Sequence, residues 1–161
     1  APILVFTSDE AWAFIPNRSV ESVHLAAMPE VNAKWCDDEL EEKWEKLLVI
    51  KDNISRALED ARKGKVIGHS LDAKVKVSSV KNLSIDLSAE ADTLRDILII
   101  SQLTVEGEAE GAATEDSTPT CDTEVTKADG EKCARCWRYD TTVGAEPSHP
   151  AICRRCVEAL V

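Results

Sequence analysis

Apolar positions recur along this chain with a period that changes from segment to segment, and each period predicts an element. Between Asp38 and Lys63, the residues Leu40, Trp44, Leu47, Ile54, Leu58 and Ala61 fall at helical spacing, with Leu48 widening the stripe and Lys51 interrupting it. That pattern predicts an amphipathic helix, with Asp38 and Glu41 suited to cap its start and Gly64 its end. Upstream, Thr7-Ser-Asp-Glu10 has the form of a capping box with Phe6 before it, so a short helix through Ala11, Trp12 and Phe14 is expected, ending at Pro16. Asn17–Met28 reads as a loop or short extended stretch. The long helix needs apolar partners and few precede it, while Ala1–Phe6 opens apolar and without a cap. Both features predict a piece of a longer chain.

Downstream the period shifts to two. Leu71–Val77 alternates and predicts a half-buried strand. Ser88–Ile97 fits a helix with Ser88 as its cap and Leu94, Ile97 and Leu98 inward, and Leu98–Val105 reads as a second strand from its β-branched content. Lys81–Leu87 fits either state. Glu106–Thr126 offers Gly, Ala, Thr, Ser, Pro and acids with little to bury, so it is expected to be a linker.

Composition changes this picture in two places. Hydrophobic residues make up 43% of the chain, enough for a packed core, yet no apolar run approaches the ~20 residues of a membrane helix. The net charge of −11 argues against nucleic acid as a partner when taken whole, since phosphate binding rests on Lys and Arg. The charge is uneven, however: nine acids (Glu106, Glu108, Glu110, Glu115, Asp116, Asp122, Glu124, Asp129, Glu131) face one base, Lys127, in a single stretch. The rest of the chain is nearly balanced, so bulk charge says little about what its ends bind.

The candidate chemistry lies near the C-terminus. Cys133-Ala-Arg-Cys136 and Cys153-Arg-Arg-Cys156 form a C-x2-C-x16-C-x2-C pattern. Each CxxC turn can aim two sulfurs at one centre, and the loop between brings the pairs together around zinc. Four thiolates leave no position for water, so the metal would be structural, and in a module of about thirty residues it would supply most of the folding energy. Two disulfides, an iron site of the same ligation or a redox thiol pair are the alternatives, and His149 could in principle replace one thiolate. Lys132, Arg135, Arg138, Arg154 and Arg155 make the module basic. These cations either offset the charge of the thiolates or contact phosphate. Trp137 either packs over the knuckle or offers a stacking face to an unpaired base. Cys36 and Cys121 read as a buried and a linker thiol.

These residues resemble a known family. Cys133-Ala-Arg-Cys-Trp-Arg-Tyr139, Val143-Gly144, His149-Pro150 and Ile152-Cys-Arg-Arg-Cys156 are similar to the zinc finger of bacterial isoleucyl-tRNA synthetases, and a related knuckle occurs in formamidopyrimidine-DNA glycosylases. Further blocks resemble the synthetase in the same order: Phe6-Thr-Ser-Asp-Glu-Ala-Trp12, Ser22-Val-His-Leu25 with Met28-Pro29, Lys65-Val-Ile-Gly-His-Ser-Leu-Asp-Ala73, and Leu94-Arg-Asp-Ile-Leu-Ile-Ile-Ser-Gln102. The acidic stretch matches no part of the family pattern.

The resemblance implies an α+β architecture in four parts: the end of a helical anticodon-binding bundle (1–69), a small strand–helix–strand unit (70–106), an acidic flexible linker (107–130) and a four-cysteine zinc-finger module (131–161). It implies a parent enzyme that uses ATP to join isoleucine to its tRNA, with this portion at the anticodon end. Cys133, Cys136, Cys153 and Cys156 would hold Zn2+, and Arg135, Trp137, Arg138, Arg154 and Arg155 would contact the tRNA. The His-Ile-Gly-His and Lys-Met-Ser-Lys-Ser motifs that bind ATP in such enzymes are absent; Ile67-Gly68-His69 echoes only part of the first, so these residues alone should not aminoacylate. The expected partners are isoleucine tRNA and the remainder of the synthetase, with no membrane, in a monomer of the bacterial cytoplasm or an organelle of bacterial ancestry. A DNA-binding glycosylase tail and a structural module that touches no nucleic acid are the competing readings.

Overall fold

The computed structural model describes residues 1–106, 109–110 and 118–160, and it separates into two compact units, Ala1–Asp37 and Asp38–Val161. Glu108, Glu115 and Asp116 of the acidic stretch lie outside the described residues.

In the first unit, helix α1 runs Val5–Ala13, two residues ahead of the expected cap. Thr7 lies inside it, and no side chain caps its start. Asp9 is used otherwise: its carboxylate accepts from Ser22 Oγ at 2.5 Å and from the backbone N–H of Val23 at 3.3 Å. Trp12 Nε1 donates to the Val20 carbonyl at 3.0 Å. These bonds join residues 8 to 14 positions apart, which a local capping pattern does not record. No residue of this unit is buried, although Ile3, Phe6, Phe14, Met28, Val31 and Trp35 are apolar.

The second unit is built on helix α2, Asp38–Lys63, where the periodicity placed it. Leu47, Ile50, Ile54 and Leu58 are fully buried, whereas Leu40 and Leu48 are nearly half exposed. Three acids in its first turn and Arg62 and Lys63 in its last suit the helix dipole. Gly64 N–H reaches Asp60, but the left-handed residue that ends the helix is Lys65 (φ 59°), whose neighbour Val66 donates back to the Ala61 carbonyl at 2.9 Å.

Strand β1 (Ala73–Lys81), helix α3 (Ala91–Leu98) and strand β2 (Gln102–Val105) form the expected unit, with β1 and β2 parallel. The cap of α3 is Glu90 rather than Ser88, and Leu98 ends the helix instead of opening the strand. Ile99 takes a left-handed φ of 54° to make that exit, an unfavourable conformation for a β-branched residue. Along β1, Ala73, Val75 and Val77 point inward at period two, and then Val80 does so after three residues. A bulge between Val77 and Ser79 restores the phase.

Strand β3 (Ala109–Glu110) continues the β2 edge of β1, pairing at Val80 and Lys81. Strand β4 (Thr120–Lys127) runs antiparallel along the whole of β1. This corrects the expected linker of 107–130, which over 120–127 is a sheet strand. Its acids occupy one face only. Cys121, Thr123 and Val125 alternate with Asp122 and Glu124, and Cys121 and Val125 pack on the core. Averaging the charge over the stretch hid that alternation. The lysines of β1 meet the acids: Lys76 reaches Glu106 and Lys74 reaches Asp129, each at 2.7 Å.

Helix α2 and helix α3 cover the inner face of this sheet, so α2 finds partners that follow it in sequence. Packing divides the chain at Asp37, whereas the expected boundary fell at 69. Strands β5 (Glu131–Lys132) and β6 (Tyr139–Asp140) form a hairpin, and helix α4 (Arg154–Glu158) comes after it. Among the described residues, no helix is long and apolar enough to cross a membrane.

Candidate metal centre

The β5–β6 hairpin carries the first cysteine pair. Gly130 precedes it at φ 90°, where an added Cβ would sit 2.5 Å from the Asp140 backbone, so only glycine allows the two strands to close. Between the strands the chain makes a tight turn: Cys133 N–H donates to the Arg138 carbonyl and Trp137 N–H to the Cys133 carbonyl, each at 2.9 Å. Trp137 closes that turn in a left-handed conformation (φ 64°). The second pair sits at the start of α4, with Cys153 as its first flanking residue and Cys156 within the helix.

The four sulfurs of Cys133, Cys136, Cys153 and Cys156 all lie within 4.8 Å of one another. Cys133 to Cys156 and Cys136 to Cys153 are both 3.8 Å apart. Zinc–sulfur bonds of ~2.3 Å arranged as a tetrahedron require sulfurs about 3.8 Å apart, the separation that these two pairs already have. The same separation is nearly twice a disulfide bond, and all six cysteines are free. His149 stands outside the cluster. Cys133, Cys153 and Cys156 are buried, with Val143 and Ile152 packed around them. A donor set of four soft ligands closed off in this way suits a structural metal.

The surroundings act on the sulfurs in opposite directions. Burial, the largest single influence, opposes ionisation of Cys133, but backbone N–H groups of Cys136, Cys153 and Arg135 turn to its sulfur and bring it down to about 6. The Cys153 N–H lies 3.3 Å from that sulfur. Burial pushes Cys153 up to about 12 and Cys156 upward as well. Four crowded thiols resist collective ionisation, and a divalent cation among them reverses that resistance. Arg155 hydrogen-bonds to Cys136, which raises its own pKa, and Arg135 hydrogen-bonds to Cys156.

The expected tRNA-contacting residues therefore separate. Arg138 is 15% exposed and bonds Asp96 of α3 at 2.8 Å, a contact that holds the Asp96 carboxyl below its ordinary range. Arg135 and Arg155 are exposed yet turn to sulfur. Arg154 is exposed, and its side chain makes no hydrogen bond or ion pair among the described residues. Trp137 is 61% exposed, with Lys132 Nζ 5.6 Å from its ring centre.

The knuckle is also fixed to the sheet unit by contacts that no local motif announced. Ser101 is buried; its hydroxyl donates to the Leu71 carbonyl at 2.5 Å and accepts from the Tyr139 N–H at 2.7 Å. The Gln102 side chain exchanges two 3.0 Å hydrogen bonds with the backbone of Asp129. With Lys74–Asp129 and Arg138–Asp96, these contacts form a polar clasp. Its members come from segments 27 to 55 residues apart, so only the folded chain brings them together.

Comparison with known proteins agrees with this arrangement. Residues 1–77 match the family described as the anticodon-binding domain of tRNA ligase, and residues 130–159 match the zinc finger found in FPG and IleRS. The chain is 43% identical to the isoleucine–tRNA ligase of Syntrophotalea carbinolica and 41% identical to that of Geobacter sulfurreducens, each over 99% of its length. It is 43% identical to the enzyme of Staphylococcus carnosus over 97% of its length. It spans about 17% of the length of each of these curated relatives.

Proposed function

We propose that this chain is part of an isoleucyl-tRNA synthetase, the portion that contacts the anticodon end of isoleucine tRNA. The zinc-finger match and the four-sulfur cluster both support a structural Zn2+ held by Cys133, Cys136, Cys153 and Cys156. The parent enzyme would use ATP to join isoleucine to its tRNA in the bacterial cytoplasm, acting as a monomer, with the ATP chemistry carried by parts outside these residues.

The observation that carries the reading is Trp137. A large aromatic side chain stands 61% exposed, in a left-handed turn that the metal ligands of the CxxC segment hold in place, on a knuckle clasped to a folded sheet. A rigid exposed ring stacks on an unpaired base at low entropic cost. Arg154, unpaired among the described residues, is available for phosphate; Arg135, Arg138 and Arg155 support the surface through sulfur and Asp96.

The same commitment of three arginines to internal contacts favours a second reading, a structural tail without RNA contact. A binding titration of the zinc-loaded chain against isoleucine tRNA and an unrelated tRNA, at two salt concentrations, separates the two. Preference for isoleucine tRNA that Trp137→Ala weakens supports anticodon contact. Weak equal binding that disappears with salt, or none, would leave the structural tail.

A further inference from the structure

A groove of about 540 Å³ opens on this unit away from the sulfur cluster. Three segments line it: the end of α2 with Arg62 and Lys65, the turn into β1 with Asp72, and the β4–β5 junction with Lys127, with Tyr139 of β6 beside them. Its volume is in the range of sites that take a small molecule or one unit of a polymer. Three of its side chains are cations in a chain of net charge −11. Its one carboxylate, on Asp72, is already engaged, since one of its oxygens accepts from Gly68 N–H at 3.1 Å and His69 N–H at 2.7 Å. Arg62 is oriented by Glu59 and by Ser70 Oγ at 3.0 Å. Lys65 and Lys127 are exposed, and neither has a hydrogen-bond or ion-pair partner for its side chain among the described residues.

Lys65 carries a further mark. It occupies a left-handed position, where glycine is the unstrained residue, and the chain places a long cation there instead, directly after a glycine. Helix C-termini do attract cations, which accounts for Arg62 and Lys65 alone. It does not account for Lys127 and Tyr139, which reach the same space from a strand and from the knuckle hairpin.

We infer that this groove is a second RNA site, in which Lys65 and Lys127 hold consecutive phosphodiester groups of a tRNA strand, Arg62 supports them and the Tyr139 ring borders the sugar or base between. The inference rests on the tRNA reading given above and adds a contact that the zinc motif does not contain. Because Tyr139 belongs to both the groove and the clasped hairpin, RNA in the groove would be in fixed register with Trp137.

The test is the titration of the full zinc-loaded chain with the anticodon stem–loop RNA of isoleucine tRNA over a range of salt. The Lys65→Gly/Lys127→Ala double variant removes both charges and relieves the left-handed backbone, so its zinc content and melting temperature are expected to hold or rise. Its affinity is expected to fall about tenfold, and the slope of log affinity against log salt to fall by about 1.4, at ~0.7 per phosphate released from a single strand. If the double variant loses zinc or melts early, Lys127→Gln alone is read in the same way, with half the change in slope. Unchanged affinity and slope, while Trp137→Ala still weakens binding, would overturn the groove and leave the knuckle reading standing. Displacement of the RNA by inorganic phosphate at matched ionic strength would make it a site for free phosphate and also overturn the inference. Absence of RNA binding by the wild-type chain would remove both readings together.

Discussion

The second unit has two interiors built on different principles. One is hydrocarbon: among the described residues, fourteen buried side chains from α2, β1, α3 and the segments that connect them, from Leu47 to Ile100. The other consists of three buried cysteines with a fourth half-buried and two aliphatic neighbours. The first gains its free energy by removing apolar surface from water, which grows with area. The second has too little area for that, and its cohesion would come from bonds between sulfur and the metal it is suited to hold. Tolerance to change should differ accordingly. A hydrocarbon core loses stability in increments, whereas a four-ligand site is either complete or absent.

The largest expected effect therefore comes from breaking the sulfur core. Chelation, or Cys133→Ser, should unfold 130–159 outright, since zinc contributes roughly 10–16 kcal/mol to folding small fingers. Hydrogen exchange followed by mass spectrometry should show the knuckle amides losing protection while α2 keeps its own. Equal loss in both would mean that the clasp makes them one cooperative unit. Next is Ile54→Ala in the hydrocarbon core, expected to cost about 2–5 kcal/mol in denaturant unfolding with zinc stoichiometry unchanged. Gly130→Ala should cost more than about 1 kcal/mol, since both its φ of 90° and the Asp140 backbone exclude a Cβ. That loss should appear as weaker zinc retention against a competing chelator.

A smaller change of opposite sign is expected at Ile99. Its side chain is 57% exposed and its backbone left-handed, so Ile99→Gly should raise stability by about 1 kcal/mol, readable as a higher Tm. The smallest effect concerns the clasp between the two cores. Hydrogen bonding to Arg138 lowers the Asp96 pKa in the folded state relative to the unfolded chain. Its contribution is therefore complete above the unfolded value and lost as pH falls through the folded one. Asp96 is more than half exposed, so solvent screens the pair and the effect is modest. Asp96→Asn should flatten the acid limb of knuckle protection without altering stability of the α2 core in the same acid range.

How much of the molecule is legible in its sequence depends on the range of each interaction. The bounds of helix α2 were legible because its stripe repeats over many turns and a helix is stabilised by neighbours three and four positions away, although the stripe left out buried Ile50 and included half-exposed Leu40. The cysteine spacing was legible because each pair is set by one turn. Strand β4 was not, because its identity depends on pairing with β1 some fifty residues earlier, and its acids read as linker until Lys74 and Lys76 stand beside that sheet. The start of α1 was misplaced because the Thr7–Glu10 pattern is a local one, whereas the helix begins at Val5 with no side-chain cap.

By itself, then, the sequence determined the long helix, the β1–α3–β2 order and the identity of the four clustered cysteines, all of which depend on residue type and local spacing. Only tertiary structure decided that α2 packs with the sheet and helix C-terminal to it, that a buried serine and an Asp96–Arg138 pair fix the knuckle to the sheet, and that Lys65, Lys127 and Tyr139 border one groove. Those arrangements join groups far apart in the chain. Their free energy appears only after the entropy of closing the intervening loops has been overcome by the core as a whole, and no local pattern records that.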